Sequence, residues 1–145
     1  MLLMALFVPC AANAQQTVTI GDATTSNPTL PVHMAYTYSV TQQIYTADEI
    51  GMAGNITSIA FYHNPSTALT MEDIQVYMMQ VDKSVFASAA DVVPLTDATK
   101  VFEGTLSANG AGWVTLQLST PFPYDAESNL LICCYDPNSN KPGDL

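Results

Sequence analysis

Past its first residues, the chain alternates apolar and polar positions in short runs and shows no sustained 3.6-residue stripe. Runs rich in Val, Ile, Thr, Tyr and Phe, broken by Gly, Pro, Asn and Asp, are the pattern of β-strands. Strands are predicted over Thr17–Ile20, Tyr38–Thr46, Ile56–His63, Ile74–Val81, Lys100–Leu106, Trp113–Leu118 and Leu130–Tyr135. Gly51–Asn55 and Asn109–Gly112 carry turn signals, because glycine reaches the positive φ of tight turns without strain. The strongest hairpin signal is Ala108-Asn109-Gly110 leading into Trp113-Val114-Thr115-Leu116. Ser84–Ala98 is the least strand-like stretch, with room for one helical turn. Short strands at this spacing predict an all-β fold, an antiparallel, jelly-roll-like β-sandwich. Asp136–Leu145 is a polar loop that follows a buried-looking strand. A sandwich protects its edges, so the expectation is a fragment missing the last strands of its domain.

The N-terminus reads differently. Met1–Ala14 is an apolar run closing on Ala12-Asn13-Ala14 before polar Gln15-Gln16. That is the h-region and A-x-A cleavage site of a secretory signal peptide, with cleavage expected between Ala14 and Gln15. No Lys or Arg precedes the run, which departs from the usual n-region. The lipoprotein alternative centres on Cys10, but Pro9 stands where a lipobox has a small residue. The run falls short of the ~20 residues that span a bilayer. The division is therefore residues 1–14 as signal peptide and residues 15–145 as a single β-sandwich domain, secreted or displayed at the cell surface and not inserted in the membrane.

Charge narrows the partners. Three Lys and no Arg stand against thirteen acidic residues, a formal net charge of −10. Nucleic acid is disfavoured, because phosphate binding depends on Lys and Arg releasing counterions. Anionic lipid is disfavoured for the same reason. Solubility accounts for the acidity; calcium, which takes carboxylate and carbonyl oxygens, is the sharper alternative.

No catalytic set assembles from the motifs. His33 and His63 form no metal-binding pair, and His63 beside Asn64-Pro65 reads as a turn histidine. No G-x-S-x-G elbow occurs. The acids Asp48-Glu49, Glu72-Asp73 and Asp125/Glu127 mostly fall in loops or at strand ends, where solvated acids belong, with a facing carboxylate pair as the alternative. Asp136-x-Asn138-x-Asn140 echoes the donor spacing of a calcium loop, but Lys141 occupies the position where an EF-hand has Gly. It reads as a turn of Asn, Pro and Ser, with a structural calcium as the alternative. Cys133 and Cys134 are adjacent, so alternation sends their side chains to opposite faces. They read as two small buried apolar residues, with a vicinal disulfide or redox pair as the alternative. No catalytic or cofactor-binding residue is assigned, and the metal question stays open.

Aromatics are the remaining candidates. Trp113 shares a strand face with Thr115 and Gln117, opposite Val114, Leu116 and Leu118, so it is expected to be partly surface-facing. Tyr36, Tyr38 and Tyr45 cluster near the second predicted strand. Large aromatics also cap cores, and both readings stand.

The succession Gln42–Gly51, Gly54–Tyr62, Asp73–Met78, Asp91–Thr96, Val101–Leu106, Gly112–Leu116, Thr120–Asp125 and Asn129–Leu131 is similar to a module of secreted, multidomain Bacteroidetes-type surface and adhesin proteins. The likeness covers roughly Thr17–Asp136. It implies a jelly-roll-like sandwich, often followed by fibronectin type III modules and a C-terminal secretion and sorting domain. It also implies adhesion, or binding of an extracellular glycan or protein ligand, and no catalysis. No binding residues carry over. The functional expectation is a non-catalytic binding or adhesion module of a larger extracellular protein. The alternative is a carbohydrate-binding module attached to a secreted glycoside hydrolase or protease.

Overall fold

The computed structural model describes residues 15–21, 27, 29–33 and 36–138. The leader with Cys10, and Asn140 and Lys141 of the calcium-like loop, lie outside the described residues. Within the described residues the chain forms β1 (Ser39–Tyr45), β2 (Gly54–His63), β3 (Leu69–Val81), β4 (Thr99–Ala108), β5 (Gly112–Tyr124) and β6 (Asn129–Asp136), with a single-turn helix α1 (Ala47–Ile50) after β1. All strand pairings are antiparallel. One sheet has the order β1-β6-β3-β4 and the other pairs β2 with β5. The fold is an all-β sandwich. The chain changes sheet at every connection except β3 to β4, and β6 inserts between β1 and β3.

The core lies between the sheets. Ile74, Val76 and Met78 of β3, Val101 and Leu106 of β4, Leu116, Phe122 and Tyr124 of β5, and Leu130, Ile132 and Cys134 of β6 are buried together. Alternation explains which residues enter, since every second side chain of a strand shares a face. Met71 and Ile74 are three apart yet both buried. The β3–β4 register shifts between them, and Asp73 takes φ 57°. A bulge there leaves Glu72 and Asp73 exposed and restores the inward phase.

β6 is buried on both faces. Leu130, Ile132 and Cys134 face the other sheet, while Leu131 and Cys133 are equally buried on the reverse side. Gln42 pairs in register with Cys133. Its side-chain amide donates to the Val93 carbonyl at 2.7 Å and accepts from the Val93 N–H at 2.8 Å. These bonds hold residues 82–98 across the reverse face. The Asn129 amide donates to the Lys83 carbonyl at 3.1 Å, and Asp91 pairs with Lys83 at 2.8 Å while accepting from the Ala87 N–H at 2.8 Å.

Three expectations need correction. Thr17–Ile20 forms no strand: Val18 is exposed and the run finds no ladder partner among the described residues. Alternation makes a strand possible, but only pairing with a neighbouring strand makes it one. β4 and β5 are not a hydrogen-bonded hairpin, because β5 leaves the large sheet to pair with β2. The turn itself is present, with Gly110 at φ 140° where an added Cβ would come within 3.3 Å of the Ser66 carbonyl. Residues 84–98 hold no helical turn. The helical turn falls instead at α1, where Thr46 and Glu49 form a reciprocal capping box and Gly51 ends the helix in the left-handed region at φ 69°.

Candidate functional site

The small sheet carries the surface with the clearest chemistry. Its inner face, Ile59 and Phe61 on β2 with Val114, Leu116 and Leu118 on β5, packs against the core. Alternation then dictates an outer face of three cross-strand pairs: Ser58 with Gln117, Ala60 with Thr115, and Tyr62 with Trp113. Trp113 is 55% exposed and Tyr62 42%. Their rings meet edge to face, centroids 5.4 Å apart and planes at 79°, the arrangement that the aromatic quadrupole favours. Neither β2 nor β5 contains an Asp, Glu, Lys or Arg, although the chain carries thirteen acids. The result is an uncharged strip of hydroxyl and amide groups ending in two open aromatic rings. Beside Trp113 a shallow depression of about 350 Å³ is lined by Ser107, Asn109, Gly110 and Val114, among others.

The predicted exposure of Trp113, and the inward face opposite it, are as the structure places them. Its ring partner, Tyr62, was not singled out by the sequence. Alternation with inward Phe61 marks Tyr62 as outward, but only the β2–β5 register brings it to Trp113. The other tyrosines do not come together. Tyr36 and Tyr38 are exposed, whereas Tyr45 packs against the core and donates to Gln43 Oε1 at 2.9 Å. Burial raises the Tyr45 pKa.

The titratable candidates have structural partners. His63 ends β2, with Nε2 3.1 Å from the Thr67 carbonyl across the β2–β3 turn. His33 lies against Tyr36, ring centroids 4.5 Å apart. The buried Asp136 carboxylate accepts from the Asn138 N–H at 2.9 Å and the Asn138 amide at 3.0 Å, a turn that closes β6. Asp125 accepts from the Glu127 N–H at 2.8 Å in the β5–β6 turn. Hydrogen bonds from the Thr46 backbone and hydroxyl hold the Glu49 carboxyl below its ordinary pKa. The Lys83 side chain does the same for Asp91. Among the described residues no three His, Cys, Asp or Glu side chains come together as a metal site.

Cys133 and Cys134 are both buried and free. Burial pushes the Cys133 thiol up to about 11, against a hydrogen bond from Gln42 that lowers it. Burial, with Cys133 beside it, pushes Cys134 up to about 12. Reactive cysteines have lowered pKa values and solvent access; these two have neither. No helix among the described residues is long and apolar enough to cross a membrane. Comparison with known proteins finds no matching family, no matching curated protein and no matching solved structure.

Proposed function

We propose that this chain is a secreted or surface-displayed, non-catalytic binding module of a larger extracellular protein, and that it meets its ligand through the outer face of the β2–β5 sheet. The observation that carries this reading is the exposed Tyr62–Trp113 pair at the end of an uncharged strip. Two large aromatics side by side in water forgo burial that a core position would supply. Aromatics in such positions are the residues that binding surfaces use as anchors. The apolar leader of the sequence supports export, and the adhesin-like resemblance supports a role as one module among several.

The test compares the whole chain with its Trp113→Ala variant on immobilised extracellular glycans and matrix proteins. Binding is expected to disappear in the variant. Stability should fall by only about 1 kcal/mol, the size of an aromatic pair contribution without core burial. Thermal melting of both proteins separates the two effects. Undiminished binding by the variant would move the contact to another face.

A further inference from the structure

We infer that the surface takes a single ring of an uncharged glycan, seated in the corner between Tyr62 and Trp113. This rests on the binding-surface reading above and names its ligand class. The first argument is geometric. Rings at 79° with centroids 5.4 Å apart are not coplanar. They offer no flat platform for a crystalline polysaccharide, but two walls nearly at right angles. One wall presents a π-face, negative at its centre, to the weakly positive C–H bonds on the apolar side of a pyranose.

The second argument is the chemistry around the corner. Thr115, Gln117 and Ser58 on the same face supply hydroxyl and amide groups, each able to donate and accept, which suits sugar hydroxyls. A shallow depression on the β4–β5 turn side of Trp113 is lined by Ser107 and Asn109, among others.

Charge decides between neutral and anionic sugars. Uronic or sulfated residues need a cation. Both described lysines stand outside the small sheet and are paired, Lys83 with Asp91 and Lys100 with Glu103. The chain's net charge of −10 repels anions at longer range.

The size of the aromatic-ended strip favours a small ligand over a protein partner. From Ser58 to Tyr62 the strip runs four residues, roughly 13 Å at ~3.3 Å per residue. Two strands' width gives an area on the order of 200 Å². A stable protein interface buries about 800 Å² on each partner. A single sugar ring in the corner, its neighbour lying along the strip, fits the smaller area.

Trp113 is the chain's one tryptophan, so its fluorescence reports this corner directly. The whole chain is titrated with cellotetraose, mannotetraose and tetra-N-acetylchitotetraose, with tetragalacturonate as the anionic probe and microcrystalline cellulose as the flat one. At least one neutral tetrasaccharide is expected to shift the emission saturably, with its monosaccharide competing. Tyr62→Ala should weaken that binding about tenfold, the equivalent of ~1.4 kcal/mol, with its melting temperature within a few degrees of the parent. Silence with all three neutral probes overturns the inference. So does equal binding of tetragalacturonate, tighter binding to cellulose than to any soluble sugar, or indifference to Tyr62→Ala. Loss of a matrix-protein contact in Trp113→Ala, with no sugar binding, would retain the surface and reject the ligand class. Array binding that survives Trp113→Ala would reject the surface itself.

Discussion

Cys133 and Cys134 show how neighbouring residues acquire one property from two environments. Cys134 is buried between the sheets and Cys133 on the reverse face beside Gln42, whose side chain bonds Val93, and both thiols are pushed well above the ordinary value of 9.0. The consequence for stability has a definite sign. Below about pH 9 both thiols are protonated, folded or unfolded, and their contribution is fully present. Between about pH 9 and 12 the unfolded chain releases protons that the folded chain retains, so ionisation favours unfolding. Stability should fall with rising pH across that window, Cys133 contributing up to about pH 11 and Cys134 up to about pH 12. Denaturant midpoints measured from pH 7 to pH 11 check this. A Cys133→Ala/Cys134→Ala double variant should show a shallower decline than the parent, and equal slopes would disprove the thiol origin of the effect.

Among elements, residues 82–98 are the segment whose role is least evident from its composition. Its polar groups are tied inward by Gln42 and Asn129 and to one another through Asp91. It thereby acts as a cover for the reverse face of β6. Gln42→Ala removes both bonds to Val93, each worth about 1 kcal/mol. The expected result is local opening of the cover without loss of the sandwich. Iodoacetamide labelling of the native protein, with sites resolved by peptide mass, should then modify Cys133 and spare Cys134. Equal labelling of both would indicate global unfolding, and labelling of neither would show that Gln42 does not hold the cover.

At the scale of the molecule, the sheets depend on a shared core, and β3 supplies its centre. Ile74 is fully buried and sits at the bulge that returns β3 to its inward phase. Ile74→Ala should cost about 2–5 kcal/mol, the range for truncating a fully buried aliphatic side chain. The loss should register equally in Trp113 fluorescence, which reports the small sheet, and in far-ultraviolet dichroism, which follows both sheets. Two separated transitions would show that the sheets unfold independently. The Ser119 hydroxyl, donating to the Val101 carbonyl at 3.0 Å, also ties β5 to β4 where β5 departs from its register with β2.

The positions of β1 to β6, the inward face of β5 and the exposure of Trp113 were legible in the order of residues, because alternation is a local property of a strand. Strand ends were less so: β3 begins five residues before the predicted Ile74, and β5 continues through two prolines to Tyr124. Pairing beyond these lengths is determined by the neighbouring strand. The partner of each strand was not legible at all. The Asn109–Gly112 turn suggests a β4–β5 hairpin, yet β5 pairs with β2, because burying both sheets' apolar faces requires the chain to cross between them. Thr17–Ile20 has the pattern of a strand but pairs with none of the sheet edges among the described residues. The candidate site divides in the same way. Trp113 announces itself by its position in a polar stripe, but its register with Tyr62 joins residues about fifty positions apart, and no local pattern encodes that meeting. Local alternation dictates that the chain forms sheets and, away from the β3 bulge and the doubly buried β6, which side chains face inward. Tertiary structure alone decided which strands are neighbours, since that depends on how two apolar faces exclude water together.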